Sequence, residues 1–145
     1  MSSRDKILGV VRGNQPVGTP LPSLDGFLGR AVLENRATMF ATTLTGIGGK
    51  VVYVETFREI EGYVREGFGG RIVSLVSGLE GLTRWDSGIG SDPHGLEDVE
   101  LAIVEAEFGV AENGAVWLGE KDMGVRALPF ICQHLGVVLR KGEIF

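Results

Sequence analysis

The chain has 145 residues, 43% of them hydrophobic, with 19 acidic against 14 basic side chains and a net charge of −5. That length gives one ordinary domain with a buried core, and the acidic balance excludes a phosphate-backbone binder, which needs a basic face. No apolar run approaches the roughly 20 residues of a membrane span, and the N-terminal stretch 7–11 is too short for a signal-peptide core, so a cytoplasmic protein is expected.

Ser2 or Ser3 caps an amphipathic helix that runs to about Arg12 and ends at Gly13 and Asn14. Residues 15–22 hold three of the five prolines and read as a linker, which sets an N-terminal piece, 1–22, apart from an α/β domain, 23–145. A long helical stretch is expected from Ser23, with Leu24, Phe27, Leu28 and Ala31 on one face and Phe40, Leu44 and Ile47 continuing it. Residues 46–49 stop it. Residues 50–55 carry Val51, Val52, Tyr53 and Val54 and read as a strand. Thr56 and Glu59 form a capping box for a helix to about Glu66, with Phe57, Ile60 and Val64 as its apolar stripe. Residues 71–76 are the next strand, and strand, capped helix and strand make a βαβ unit with a parallel pair. Residues 77–95 are rich in Gly, Ser, Asp and Pro and read as a surface loop. Residues 96–104 fit a helix or a strand, and residues 135–139 a strand.

Several groups invite chemistry and have plainer explanations. Gly46, Gly48, Gly49 and Lys50 resemble a phosphate loop, but the order is helix, loop, strand rather than the reverse, and Val51 follows the lysine, so a helix stop is expected. Ser77 and Gly78 follow a parallel strand, where open α/β sheets bind ligands, and are ligand-binding candidates, although Ser-Gly also simply turns the chain. Asp86, Asp92 and His94 share a loop without the spacing of a metal site, and His134 reads as a helix end. Cys132 is the only cysteine. That excludes an internal disulfide, a thiolate zinc site and any iron–sulfur cluster held by this chain alone. Its apolar neighbours predict a packed, unreactive thiol. No metal site is expected.

The most informative run is 104–119. Asn113 and Gly114 stand between two apolar stretches, the strongest short hairpin signal, because both tolerate the positive φ of a type I′ turn. With 108–112 extended, Phe108, Val110 and Glu112 share one face, while Gly109 and Ala111 form a small face open to close approach by a backbone or a flat ligand. Glu112, beside apolar neighbours, is the catalytic candidate, and Gly109, Asn113 and Gly114 are binding candidates. Glu105 and Glu107 either divide acid and base roles with it or point to water.

The segment Ala106-Glu107-Phe108-Gly109-Val110-Ala111-Glu112-Asn113-Gly114-Ala115-Val116-Trp117-Leu118 resembles the LUD-domain family of the lactate-utilisation protein C type, whose members carry A-[DE]-F-x-[IV]-A-E-[TN]-G-[TA]-[LV]-V-L. The opening residues 2–8 resemble that family's first helix, and Arg126, Ala127, Leu128 and Pro129 with the strand 135–139 resemble its continuation. The resemblance implies a three-layer, mostly parallel α/β sheet with flanking helices, of the NagB/RpiA/CoA-transferase-like kind. It also implies a further helix and two strands, including a G-P-S-[KR]-T-A-D-I-E segment that is not found before Phe145, so a fragment or a shortened member is expected. In function it implies an accessory subunit of an iron–sulfur L-lactate oxidation system, with the clusters in partner subunits and no cofactor on this chain alone. A homo-oligomer is also expected, since missing strands would leave a sheet edge open. Glu112, Asn113 and Gly114 also resemble the S-E-N-G signature of class I coenzyme A transferases, which implies as alternatives an enzyme with Glu112 as acyl-accepting nucleophile, or a small-molecule-binding regulatory module on the same fold.

Overall fold

The structure is a computed structural model and describes residues 2–16, 18, 20, 23, 35–79, 81, 82 and 93–145. It divides into two units, Met1–Leu33 and Glu34–Phe145.

In the first unit, α1 spans Ser3–Gly13. Ser2 caps it: the Ser2 hydroxyl accepts from the Asp5 N–H at 3.2 Å, while the Asp5 carboxylate accepts from the Ser2 N–H at 3.0 Å and the Ser2 hydroxyl at 2.8 Å. The hydroxyl and then the backbone bond hold the Asp5 carboxyl below its ordinary value of 3.8. The stabilisation of α1 is therefore complete above that value, declines beneath it, and is gone once pH has fallen through the lowered one. Cα chemical shifts of α1 should report fraying only in that acid window, and Asp5→Ala should fray the first turn at neutral pH. A helix indifferent to both changes would contradict the cap.

The second unit begins with α2, Arg36–Gly46, which ends where the glycines predict. Residues 24–34, with the expected stripe of Leu24, Phe27, Leu28 and Ala31, lie outside the described residues, as do Asp86 and Asp92. α3 spans Phe57–Gly67, and Thr56 caps it as expected: its hydroxyl accepts from the Glu59 N–H at 3.4 Å and donates to Glu59 Oε1 at 2.9 Å, while Glu59 Oε2 accepts from the Glu55 N–H at 3.2 Å rather than from that of Thr56, so the reciprocal half of the box is displaced by one residue.

Strands β1 (Arg71–Ser74), β2 (Val99–Glu105) and β5 (His134–Val138) form a parallel sheet in the order β1-β2-β5. β2 is its centre, and from Leu101 to Val104 it is buried on both faces, so those four positions are all apolar. Leu101 and Ile103 pack towards Val64 of α3, Val76 and Leu79. Ala102 packs on the other side with Val73, Leu96 and Leu128, the last from the short helix α4, Leu128–Ile131. Helices on both faces of a small parallel sheet make this a mixed α/β fold.

One expectation fails. Residues 50–55 form no strand, so no βαβ unit runs through α3, and the parallel pairs are β1 with β2 and β2 with β5. β-branched composition favours a strand only where a partner supplies the ladder. Among the described residues, no backbone group of 51–54 has a hydrogen-bond partner. The ambiguous stretch 96–104 resolves into a 3-10 turn, Pro93–Leu96, followed by β2.

Candidate functional site

The central strand changes sheets at Ala106. The Ala106 N–H donates to the Val138 carbonyl at the end of β5 (2.9 Å), and the next N–H, of Glu107, donates to the Trp117 carbonyl (3.0 Å). The chain thereby passes from the parallel sheet into an antiparallel hairpin of β3, Phe108–Val110, and β4, Ala115–Trp117. The break falls at the carboxyl ends of β2 and β5, the end at which open α/β sheets bind ligands.

An open cleft of about 340 Å³ lies there, lined by Glu105, Ala106, Glu107, Lys121, Asp122, Arg140 and Glu143. Arg140 Nε meets Glu105 Oε1 at 3.0 Å, and Lys121 Nζ meets Glu107 Oε1 at 3.1 Å. The hydrogen bond and then the charge of Glu107, with Asp122 adding to it, raise the Lys121 ammonium above its ordinary 10.5. Four carboxylates against two cations leave an excess of two negative charges at the cleft. Asp122 Oδ2 is enclosed and has no hydrogen-bond partner. Glu105 and Glu107 thus each meet a cation at the cleft while staying open to water, Glu107 the more exposed of the two. Both ion pairs are exposed enough that their arrangement serves geometry more than stability.

The hairpin itself differs from the expected type I′ turn. Val110 pairs with Ala115, so Ala111, Glu112, Asn113 and Gly114 form a four-residue loop, and Gly114 alone among them takes a positive φ, +69°. The Gly114 N–H donates to the Val110 carbonyl at 2.9 Å, and Asn113 Oδ1 accepts from the Ala115 N–H at 2.9 Å. β3 ends at Val110, so Glu112 does not continue the Phe108 and Val110 face; it lies exposed on the loop. Phe108 instead stacks on Trp117, with ring centroids 5.9 Å apart.

The small face is filled by the chain itself. A Cβ on Gly109 would stand 2.7 Å from Leu139 Cδ2 and 3.0 Å from Phe40 Cε2. Ala111 is buried with Phe40 and Ile144, and Gly109 and Ala111 exchange backbone hydrogen bonds with Phe145. Gly114 lies under α2, where a Cβ would sit 3.3 Å from the Leu44 backbone. Gly114→Ala combines that contact with a left-handed backbone and should lower stability by about 1–2 kcal/mol in denaturant unfolding. An unchanged midpoint would contradict the loop geometry.

Ser77 and Gly78 follow β1, Ser77 exposed and Gly78 at φ +95° against the Phe57 ring. Neither they nor Gly109, Glu112, Asn113 or Gly114 line the cleft. Cys132 is partly buried beside Leu128, and burial pushes its thiol above the ordinary 9.0. No cluster of three metal-ligating side chains occurs among the described residues, and no described helix is long and apolar enough to cross a membrane. Sequence reading missed Lys121, Asp122, Arg140 and Glu143. The available signal was positional, since Arg140 and Glu143 follow closely on the carboxyl end of a parallel strand.

Comparison with family models, with curated proteins and with solved structures returns no match to this chain.

Proposed function

We propose that this chain is an accessory subunit of an iron–sulfur L-lactate oxidation system of the LUD-domain type. The observation that carries the reading is the segment 106–118, which keeps the family's form at every position but one, where Trp117 stands in place of a valine. Its first residues line the cleft at the strand ends and the rest folds into the hairpin, so the signature and the cleft are continuous in the chain. The small parallel sheet with its helices is compatible with an α/β fold, and membership of the NagB/RpiA/CoA-transferase-like superfamily is part of the proposal.

Oxidation of L-lactate to pyruvate releases two electrons and two protons. With one cysteine this chain does not ligate a cluster by itself, so the electrons pass to clusters in partner subunits. The chain's own part is to bind and orient: the exposed Glu112 at the loop tip contacts the partner, and the paired charges of the cleft fix the start of the hairpin against the strand that follows.

The test is association. Purified chain, colourless and free of stoichiometric iron, should co-elute in fixed ratio with the cysteine-rich, cluster-bearing subunits of an L-lactate oxidation system. Separate elution at micromolar concentrations of both, or iron bound by the isolated chain, would overturn the reading.

A further inference from the structure

α1 buries none of its residues. With about 3.6 residues per turn, Ile7, Leu8, Val10 and Val11 gather on one side of the helix. All four are between 39% and 64% exposed. The helix is capped by its own first turn, so it keeps this apolar side formed without packing against anything else.

The charges of α1 are arranged about that side. Lys6 and Arg12 lie one on each flank of it, and Arg4 stands at its N-terminal end, with a stem long enough to carry the guanidinium past the apolar side chains. The small residues Gly9 and Gly13 turn the other way. The one carboxylate, Asp5, also points away and is held in the cap by the Ser2 N–H and hydroxyl. The side chains of Arg4, Lys6 and Arg12 make no hydrogen bond or ion pair among the described residues. Residues 2–16 thus hold three cations and one carboxylate, against 11 and 18 in the rest of the chain, so the positive charge is concentrated on this helix.

We propose that α1 is an interfacial helix that lies flat on an anionic lipid bilayer, with Ile7, Leu8, Val10 and Val11 in the acyl boundary and Arg4, Lys6 and Arg12 among the headgroup phosphates. The charge complementarity selects lipid of negative charge, and cations on both flanks reach headgroups on both sides of the helix axis. A bilayer accepts an aliphatic face without a pocket shaped to it. A protein groove takes apolar anchors at i, i+3, i+4 and i+7, and in α1 the stripe of Ile7, Val10 and Val11 ends at Asn14, which is polar. Eleven residues cross nothing; the contact is with the surface. Four aliphatic side chains are a small area, so binding is weak, reversible and lowered by salt.

Flotation of the full chain with phosphatidylglycerol vesicles, and with phosphatidylcholine vesicles as the neutral comparison, tests this. Binding to the anionic vesicles that falls in high salt, with little on the neutral ones, is expected. Val10→Glu puts a charge in the middle of the apolar side, and Lys6→Glu with Arg12→Glu reverses both flanks; each should weaken partition onto anionic vesicles at least about tenfold. Glutamate is a good helix former, and the thermal midpoint of the Glu34–Phe145 unit should be the same in every variant, which separates lost docking from lost folding. No binding to either vesicle, equal binding to both, or anionic binding that survives Val10→Glu would each overturn the proposal. So would self-association without vesicles, seen by sedimentation velocity and removed by Val10→Glu, since a second copy would then cover the face.

Discussion

Leu128→Ala is expected to destabilise the Glu34–Phe145 unit by about 2–5 kcal/mol, the range for deleting a buried leucine side chain. Leu128 is 0% exposed and packs with Val73, Leu96, Val99 and Ala102, so it joins α4 to the central strand and to the turn before it. The loss combines the transfer free energy of the side chain with a cavity that β2, held between two partner strands, has little freedom to fill. Leu135→Ala is the comparison: Leu135, on the edge strand β5, is 41% exposed, and its truncation should cost far less. Equilibrium denaturation of both variants decides the point. Equal effects at the two positions would mean that the core does not lie where the packing places it.

Glu112→Gln is expected to leave stability within about 0.5 kcal/mol, the usual scale for exposed sites, and yet to abolish lactate-dependent turnover of the reconstituted assembly. The Glu112 carboxylate takes part in no hydrogen bond or ion pair among the described residues, so the folded chain has little to lose with its charge. Only a ligand or a partner feels the change. Gln keeps the volume and separates charge from shape. Asn113→Ala is the control. It removes the acceptor of the Ala115 N–H and should cost about 0.5–1.5 kcal/mol without selectively removing turnover. Full turnover by a folded Glu112→Gln protein would reduce the signature to a hairpin.

Local chemistry made much of the fold legible. The helix caps at Ser2 and Thr56, the helix stop at Gly46 and the hairpin around Asn113 and Gly114 each depend on residues within four positions of one another, and each forms. Features that depend on distant partners were harder to read. Residues 50–55 have the composition of a strand and no ladder, because propensity does not supply a neighbour. The stretch 96–104 was ambiguous because Leu96, Val99 and Ile103 keep helical spacing while Val99, Leu101 and Ile103 alternate, and the choice falls to the distant strands that pair with it on either side. At the site, the hairpin was legible but its turn type was not: the four-residue loop moves Glu112 off the strand face and leaves positive φ to Gly114 alone. The cleft was legible only in its two glutamates, Glu105 and Glu107, and not in the cations that meet them. Arg140 meets Glu105 across 35 positions of sequence, a pairing that no local pattern encodes.

The most direct measurement of the central claim is pyruvate formation from L-lactate by the cluster-bearing subunits, assayed with an electron acceptor in the presence and absence of this chain. The account predicts that turnover requires the chain, saturates at a fixed ratio of chain to partner, and reduces two electron equivalents per pyruvate. Full turnover by the cluster-bearing subunits alone, unchanged on adding the chain, would contradict it.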